Sequence, residues 1–155
     1  MKPVLQALLV ADHVYQDHPS GKRIVAGIFD KLFLRKDVPA EVRNEDGKRQ
    51  RVVIGGGDPG SPYAYISMTA LRGKLRFVVR YVYLNDDKVL FQTDFGIACE
   101  NPLETAQIVL ALPKLPVIGV GAYALELLCD DEPLGAFRIT VEELQGESND
   151  VPDSE

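Results

Sequence analysis

The fold of this chain is decided by residues 74–99, which read KLRFVVRYVYLNDDKVLFQTDFGIAC. Apolar and polar side chains alternate along both halves of this stretch, and the turn-forming segment Asn85–Asp87 lies between them. A period of two is typical of β-strands that bury one face. The stretch therefore predicts an antiparallel hairpin whose odd-numbered apolar side chains, at 75–83 and 89–97, share the inward face.

The two faces of this hairpin also predict how its strands pair. Side chains opposite each other must point to the same side of the sheet, and a two-residue turn would set odd positions against even ones. We therefore expect a three-residue loop, Asn85 to Asp87, with Val79 opposite an odd-numbered residue. The predicted inward pairs are Phe77 with Phe95 and Tyr81 with Phe91.

A second hairpin is predicted from residues 122–129 and 136–144, where apolar side chains again recur at every second position. A five-residue loop, Asp130 to Leu134, brings the two apolar faces to the same side. The predicted opposite pairs are Leu127 with Phe137, Leu125 with Ile139, and Glu126 with Arg138.

Short strand-like runs separated by Gly, Pro, Asn and Asp occupy much of the remaining chain. They are predicted at 5–15, 23–29, 31–35, 51–54 and 62–70. Residues 102–112 favour either a strand or a helical turn, because Ile108-Val109-Leu110 follows Thr105-Ala106-Gln107. Many short strands without alternating helices predict an all-β, antiparallel sandwich.

The length of 155 residues and a hydrophobic content of 46% predict one domain. We place it at residues 1–144, with a long loop at 37–60, followed by an acidic, disordered tail at 145–155. The tail carries four of the six net negative charges and leaves a nearly neutral body. A neutral body gives no electrostatic reason to expect a nucleic-acid partner.

The beginning of the chain, Met1-Lys2-Pro3 followed by a short apolar stretch, does not resemble a signal peptide. No apolar run reaches the length of a membrane helix, so we expect a soluble, cytoplasmic protein without a membrane partner. Cys99 and Cys129 are the only cysteines and are expected to be reduced.

Two stretches carry a family resemblance: residues 21–30, GKRIVAGIFD, and residues 119–135, GVGAYALELLCDDEPLG, the latter preceded by LPKLP at 112–116. Together they resemble an uncharacterised bacterial family known only as a domain of unknown function. The resemblance covers residues 4–144 and implies an immunoglobulin-like or similar β-sandwich. It implies no activity, cofactor or functional residue.

Tyr123 lies at the start of a late strand that a hairpin connects to the last one, and this position resembles the tyrosine corner of Greek-key sandwiches. Leu125 stands where an antibody domain would have a cysteine, so no disulfide between the sheets is expected. The combined prediction is an all-β, antiparallel Greek-key β-sandwich, immunoglobulin-like, with about seven to nine strands.

Two groups of residues have side chains of the types that bind metals. His13, Asp17 and His18 include both histidines, but alternation places His18 on the opposite face from the other two, so three ligands do not converge. The acidic turns Asn85-Asp86-Asp87 and Asp130-Asp131-Glu132 resemble calcium-binding loops. A strand at 105–112 would place those turns at opposite ends of the sandwich, and Asn and Asp are also ordinary turn formers.

Other features give little support for catalysis or nucleic-acid binding. The basic side chains Arg72, Lys74, Arg76 and Arg80 are predicted to share a face opposite Asp94 and Gln92, without aromatic side chains that would stack on bases. The glycine run at 55–60 leads into a predicted strand rather than the helix of a phosphate-binding loop. No Cys or Ser has a histidine base nearby in the pattern.

We therefore predict a non-enzymatic binding or structural module with no catalytic residue, no cofactor and no metal ligand. An unknown protein partner would contact the long loop, Asp37 to Gly60, since long loops on a rigid scaffold are functional or disordered. The alternative is a divalent-cation or small-ligand module that uses the acidic turns.

Overall fold

Strands account for all the regular structure in the residues that the computed structural model describes, which are 2–35, 52–53 and 61–144. No described residue lies in a helix. In chain order the strands are β1 (Val4–Gln16), β2 (Arg23–Ile28), β3 (Lys31–Arg35), β4 (Val52–Val53), β5 (Tyr63–Thr69), β6 (Gly73–Tyr83), β7 (Lys88–Cys99), β8 (Ala106–Ala111), β9 (Gly121–Cys129) and β10 (Glu132–Leu144). The stretch at 102–112, for which two structures were open, contains a strand.

The strands form two sheets that share one hydrophobic interior, which confirms the predicted all-β sandwich. One sheet has four strands in the order β2-β1-β5-β8, and the other has six in the order β4-β3-β10-β9-β6-β7. Their inward side chains belong to one buried cluster. One pair departs from the antiparallel prediction, because β3 runs parallel to β10. The Greek-key and immunoglobulin-like parts of the prediction stay predictions.

The chain passes from the four-stranded sheet to the six-stranded sheet at Phe29 and Asp30. The N–H of Phe29 donates to the carbonyl of Val10 in β1, and the carbonyl of Asp30 accepts from Thr140 in β10. Phe29 is therefore bonded to the four-stranded sheet and Asp30 to the six-stranded sheet. The chain continues almost without interruption from β2, in the first sheet, into β3, in the second. This crossing places β3 beside β10 and produces the parallel pair.

The first hairpin has the predicted inward pairs but a different turn. Phe77 lies opposite Phe95, Tyr81 opposite Phe91 and Val79 opposite Thr93, as predicted. The turn has four residues rather than three, because Tyr83 pairs with Lys88. Such an even turn sets odd-numbered residues opposite even-numbered ones. One extra residue in β7, the bulged Leu90, then returns odd-numbered residues to positions opposite odd-numbered ones from Tyr81 and Phe91 onwards.

The bulge also corrects one predicted core residue. Val89 now pairs with Val82 rather than with an inward-facing residue, and its side chain is exposed. The predicted inward face of β7 therefore begins at Phe91, on the far side of the bulge.

The second hairpin is displaced by two residues from its predicted pairing. Asp130 and Asp131 form a two-residue turn with positive φ angles of 50° and 69°, the conformation that suits the twist of a tight hairpin. A bulge at Leu134 then restores the parity. The pairs found are Leu125 with Phe137, Tyr123 with Ile139, and Glu126 with Ala136.

The interior is held by stacked aromatic side chains on the six-stranded sheet. The fully buried ring of Tyr81 lies between Phe91 and Tyr123, with ring centres 5.4 and 5.6 Å away. Phe77 stacks on Phe95 at 5.1 Å. Burying one large apolar side chain stabilises a fold by about 1.5–3 kcal/mol, and stacked aromatic pairs add about 0.5–1.5 kcal/mol beyond their buried area.

Tyr123 fixes the connection between the two sheets, as the tyrosine-corner prediction requires. Its hydroxyl accepts hydrogen bonds from the N–H groups of Ile118 (3.0 Å) and Gly119 (3.1 Å) and donates to the carbonyl of Gly119 (2.6 Å). Burial raises the pKa of this hydroxyl above its ordinary value. The segment that follows β8 is thereby held against the beginning of β9.

We expect Tyr123→Phe to lower the free energy of unfolding by about 1–3 kcal/mol, because two N–H groups and one carbonyl lose their partner. Chemical denaturation followed by far-UV circular dichroism measures this change. Tyr81→Phe is the matched control, since the buried Tyr81 hydroxyl has no hydrogen-bond partner among the described residues. That variant is expected to be as stable as the wild type or slightly more stable, and equal losses in the two variants would contradict the assignment.

Candidate functional site

The outer face of the six-stranded sheet is an ordinary solvated surface with many charges. Its charged side chains are Lys31, Lys74, Arg76, Arg80, Asp94, Glu126, Arg138 and Glu142. Polar side chains facing water opposite an apolar inner face are the usual pattern of an antiparallel sandwich.

Between described residues of this face, three ion pairs cross from strand to strand. Arg76 Nη2 lies 2.5 Å from Asp94 Oδ2, Arg80 Nε lies 2.8 Å from Glu126 Oε1, and Lys31 Nζ lies 3.2 Å from a Glu142 carboxylate oxygen. All six side chains are at least partly exposed, so each pair contributes at most about 1 kcal/mol.

Two sequence predictions for this face need correction. The partner of Glu126 is Arg80 on β6 and not Arg138, because the second hairpin is displaced by two residues and sets Arg138 opposite Ala124. Arg72 does not belong to the basic stripe, since β6 begins at Gly73. Two of the remaining three cations of the stripe are already paired with carboxylates.

The outer face of the four-stranded sheet has a different composition. Residues from all four strands form it: Val4, Gln6, Ala7, Leu9, Ala11, His13 and Tyr15 from β1; Ile24, Ala26 and Ile28 from β2; Tyr63, Tyr65, Ser67 and Thr69 from β5; Gln107, Val109 and Ala111 from β8. None of these is Asp, Glu, Lys or Arg. We call this surface the uncharged face.

Large side chains of the uncharged face lie open to solvent at its β1–β2 end. Tyr15 is 51% exposed, and the opposite residue, Ile24, is 48% exposed. Ile28 is 53% exposed, and the ring of His13 stacks on that of Tyr15 at 5.6 Å. A continuous surface of this kind marks a contact site more often than isolated exposed apolar residues do.

The sequence contains a signal for the uncharged face that the sequence analysis missed. In β1 the inward residues Leu8 and Val10 alternate with Ala7, Leu9 and Ala11, which are also apolar. A strand that is apolar on both faces is typical of a strand covered on both sides. Reading β1 as a loosely alternating strand of one buried face left out this second set of residues.

His13, Asp17 and His18, which the sequence analysis considered as a group, are not brought together in the structure. The Asp17 carboxylate accepts hydrogen bonds from the hydroxyl (2.5 Å) and the N–H (3.1 Å) of Ser20, and these bonds lower its pKa below the ordinary value. Asp17 therefore holds the turn between β1 and β2. Among the described residues, no three His, Cys, Asp or Glu side chains are grouped so that they would hold a metal ion.

The two acidic turns lie at opposite ends of the six-stranded sheet, as predicted. Asn85 follows the end of β6, and its Oδ1 accepts a hydrogen bond from the N–H of Ala122 at the start of β9. The N–H of Asp130 donates to the backbone carbonyl of Arg76, near the beginning of β6. The first turn follows Tyr83, the last residue of β6, and the second lies beside Arg76. These two residues are seven positions apart on one strand, a separation of about 23 Å. The two sets of carboxylates therefore cannot bind one ion.

The two cysteines are not placed to form a disulfide. Cys99 pairs with Gly73 and Cys129 with Phe77 on opposite sides of β6, so their Cα atoms are about 16 Å apart, well beyond disulfide distance. Burial, with Asp130 nearby, raises the pKa of the Cys129 thiol above its ordinary value. A raised pKa disfavours the thiolate that a nucleophile requires.

A shallow groove of about 310 Å³ lies between β6 and β7. It is lined by Lys74, Leu75, Arg76, Gly96, Ile97 and Ala98. These residues provide two cations and apolar surface, but no carboxylate, histidine or nucleophile for acid–base chemistry.

Some of the predicted features lie outside the described residues. Apart from Val52 and Val53, the predicted contact loop Asp37–Gly60 with its glycine run belongs to this part of the chain, and so does the acidic tail at 145–155. The structure therefore describes a candidate contact surface other than the one that the sequence predicted.

Comparison with known proteins gives no relative: no protein-family model matches the chain, and no curated protein matches it. The resemblance to an uncharacterised bacterial family therefore stays a prediction. Within the part of the chain that the structure describes, no helix has the length and apolar character needed to cross a membrane.

We expect millimolar calcium to leave the melting temperature of the protein unchanged, because the acidic turns are too far apart to act together. Differential scanning fluorimetry with and without calcium measures this, with EDTA-treated protein as the reference. A rise in melting temperature that disappears in both Asp86→Ala and Asp131→Ala would contradict the expectation, since only a shared ion links the two turns.

Proposed function

We propose that this chain is a non-enzymatic protein-binding module and that the uncharged face is its contact surface. The observation that carries the proposal is the contrast between the two outer faces of one sandwich. Among the residues that the structure describes, the outer face of the six-stranded sheet carries eight charged side chains, and that of the four-stranded sheet carries none.

The composition of the uncharged face supports a protein partner. Tyr is enriched at protein interfaces, while Lys, Glu and Asp are depleted there. Tyr15, Tyr63 and Tyr65 lie on this face together with aliphatic side chains from β1, β2 and β8. Covering these side chains removes apolar surface from water without desolvating a charge, which is the favourable case for association.

Other partner classes have less support from the same surfaces. A nucleic acid needs unpaired cations on one face, and Arg76 and Arg80 are paired with Asp94 and Glu126. A lipid surface is bound by apolar residues flanked by Lys and Arg that contact anionic headgroups. The uncharged face has the apolar residues but contains no Lys or Arg.

We further propose that the sandwich is immunoglobulin-like. Support comes from the neighbours of β10, which pairs with β9 antiparallel and with β3 parallel, and from the hydroxyl of Tyr123, which binds the backbone at Ile118 and Gly119.

An intracellular location is also part of the proposal, supported by two cysteines that are free and too far apart to pair.

Affinity capture from a lysate of cells that naturally produce the chain tests the contact surface. The baits are the wild type, Ile24→Lys and Leu103→Lys. Both variants add one positive charge at an exposed apolar side chain. Leu103, however, is 88% exposed and lies in the β7–β8 connection, outside the strands of the uncharged face and at the opposite end of that sheet from Ile24. Ile24→Lys is expected to recover at least tenfold less of a specific protein, since an unpaired charge would be buried in the contact.

The control bait decides the interpretation. Leu103→Lys should recover the same protein in the same amount as the wild type, and both variants should give the circular dichroism spectrum of the folded wild type. Equal recovery by all three baits would overturn the proposal. So would a chain that neither enriches a protein over a tag-only control nor associates with itself.

A further inference from the structure

We propose that the partner covering the uncharged face is a second copy of this chain, bound face to face about a two-fold axis. This inference rests on the proposed contact function of that face and names the occupant. The argument uses the charge of the face, the pattern of its strands and its area.

The charge pattern favours a second copy, because a surface without charges is complementary to itself. In a two-fold dimer the same surface contacts its own copy, so any charge on it lies near an equal charge on the partner. The outer face of the six-stranded sheet carries eight charged side chains and would set like charges together in many alignments. The uncharged face avoids this repulsion in every alignment, which matters for a chain with a net charge of −6.

The sequences of the inner strands also agree with a covered surface. β1 is apolar on both faces around Leu9, and its neighbour β5 carries Tyr63 and Tyr65 outward beside the buried Ala64 and Ile66. Strands of this kind normally lie between two layers. A second copy would supply the missing layer and would make the four-stranded sheets the centre of the dimer.

The area of the face indicates the size class of the interface that such a dimer would form. The four strands contain 13, 6, 7 and 6 residues. At about 16 Å² of sheet per residue they cover roughly 500 Å², or roughly 1,000 Å² for two copies. Stable complexes bury about 1,600 Å² in total, and contacts near 1,000 Å² are transient. We therefore expect a concentration-dependent dimer with a dissociation constant on the order of 10 μM or weaker.

Two polar features of the face are compatible with its burial. The hydroxyl of Ser67 donates to Gln6 Oε1 at 3.5 Å, so these side chains have a partner within the chain. The phenol groups of Tyr63 and Tyr65 stand at the face, where an aromatic ring is buried and its hydroxyl bonds to the partner or to water. The interface would thus combine apolar contacts with a few hydrogen bonds.

Sedimentation equilibrium from about 1 to about 500 μM tests the inference with the purified full chain. The wild type and Leu103→Lys are expected to increase in mass from 17.1 kDa towards twice that value. Ile24→Lys should remain at 17.1 kDa or dimerise at least tenfold more weakly, because each copy would bury an unpaired ammonium group. Ile28→Lys serves as a second variant on the same face, in case Ile24→Lys does not fold.

Hydroxyl-radical footprinting locates the contact on the surface. Oxidation of Tyr15, Tyr63 and Tyr65 should fall as the wild-type concentration rises, while that of Tyr83, outside the face, should not change. A monomer at every concentration, or a dimer that Ile24→Lys and Ile28→Lys leave intact, would overturn the inference. In the monomer case, lysate capture that depends on Ile24 but not on Leu103 would still support a contact with a different protein, and capture independent of both would overturn the proposed function as well.

Discussion

The packing of aromatic side chains between the two sheets is the interaction on which the rest of this structure depends. Tyr81 lies in the middle of β6, with Phe91 on one neighbouring strand and Tyr123 on the other. Burial of these rings requires that inward-pointing residues of β6 lie opposite inward-pointing residues of both β7 and β9. In this chain those residues all have odd numbers. The outer face of these three strands also follows from this constraint, because the side chains between the inward ones must point to solvent.

The same constraint explains the two bulges. The turn after β6 has four residues and the turn after β9 has two, and an even number sets odd positions against even ones. One extra residue in the returning strand, Leu90 in β7 and Leu134 in β10, restores the inward parity in each hairpin. The preference of Asp130 and Asp131 for a tight turn is thus satisfied together with burial of Phe137, at the cost of one unpaired residue.

The asymmetry of the two outer faces links this architecture to function. The charged face carries cross-strand ion pairs that stabilise little but keep the surface hydrated, as Arg80 and Glu126 illustrate. The uncharged face has no such groups, and its apolar side chains come from strands that are adjacent in space but distant in sequence. The β1–β2 hairpin holds Tyr15 and Ile24 side by side through the Asp17–Ser20 turn, so the most exposed part of the face is built on ordered backbone.

The sequence alone determined most of the strands and most of their inward side chains, because alternation and turn formation act between residues that are close along the chain. Val89 was the exception among the inward side chains, residues 102–112 fitted either a strand or a helical turn, and the position of Tyr123 was predicted from its resemblance to a tyrosine corner. Only the tertiary structure decided the sheet to which each strand belongs, the parallel pairing of β3 with β10, and the partner of Glu126. The uncharged face was hidden for the same reason. Leu9, Tyr65 and Val109 are neighbours on one surface only after β1, β5 and β8 have paired, and pairing between distant segments depends on the energy of the whole interior rather than on any local pattern.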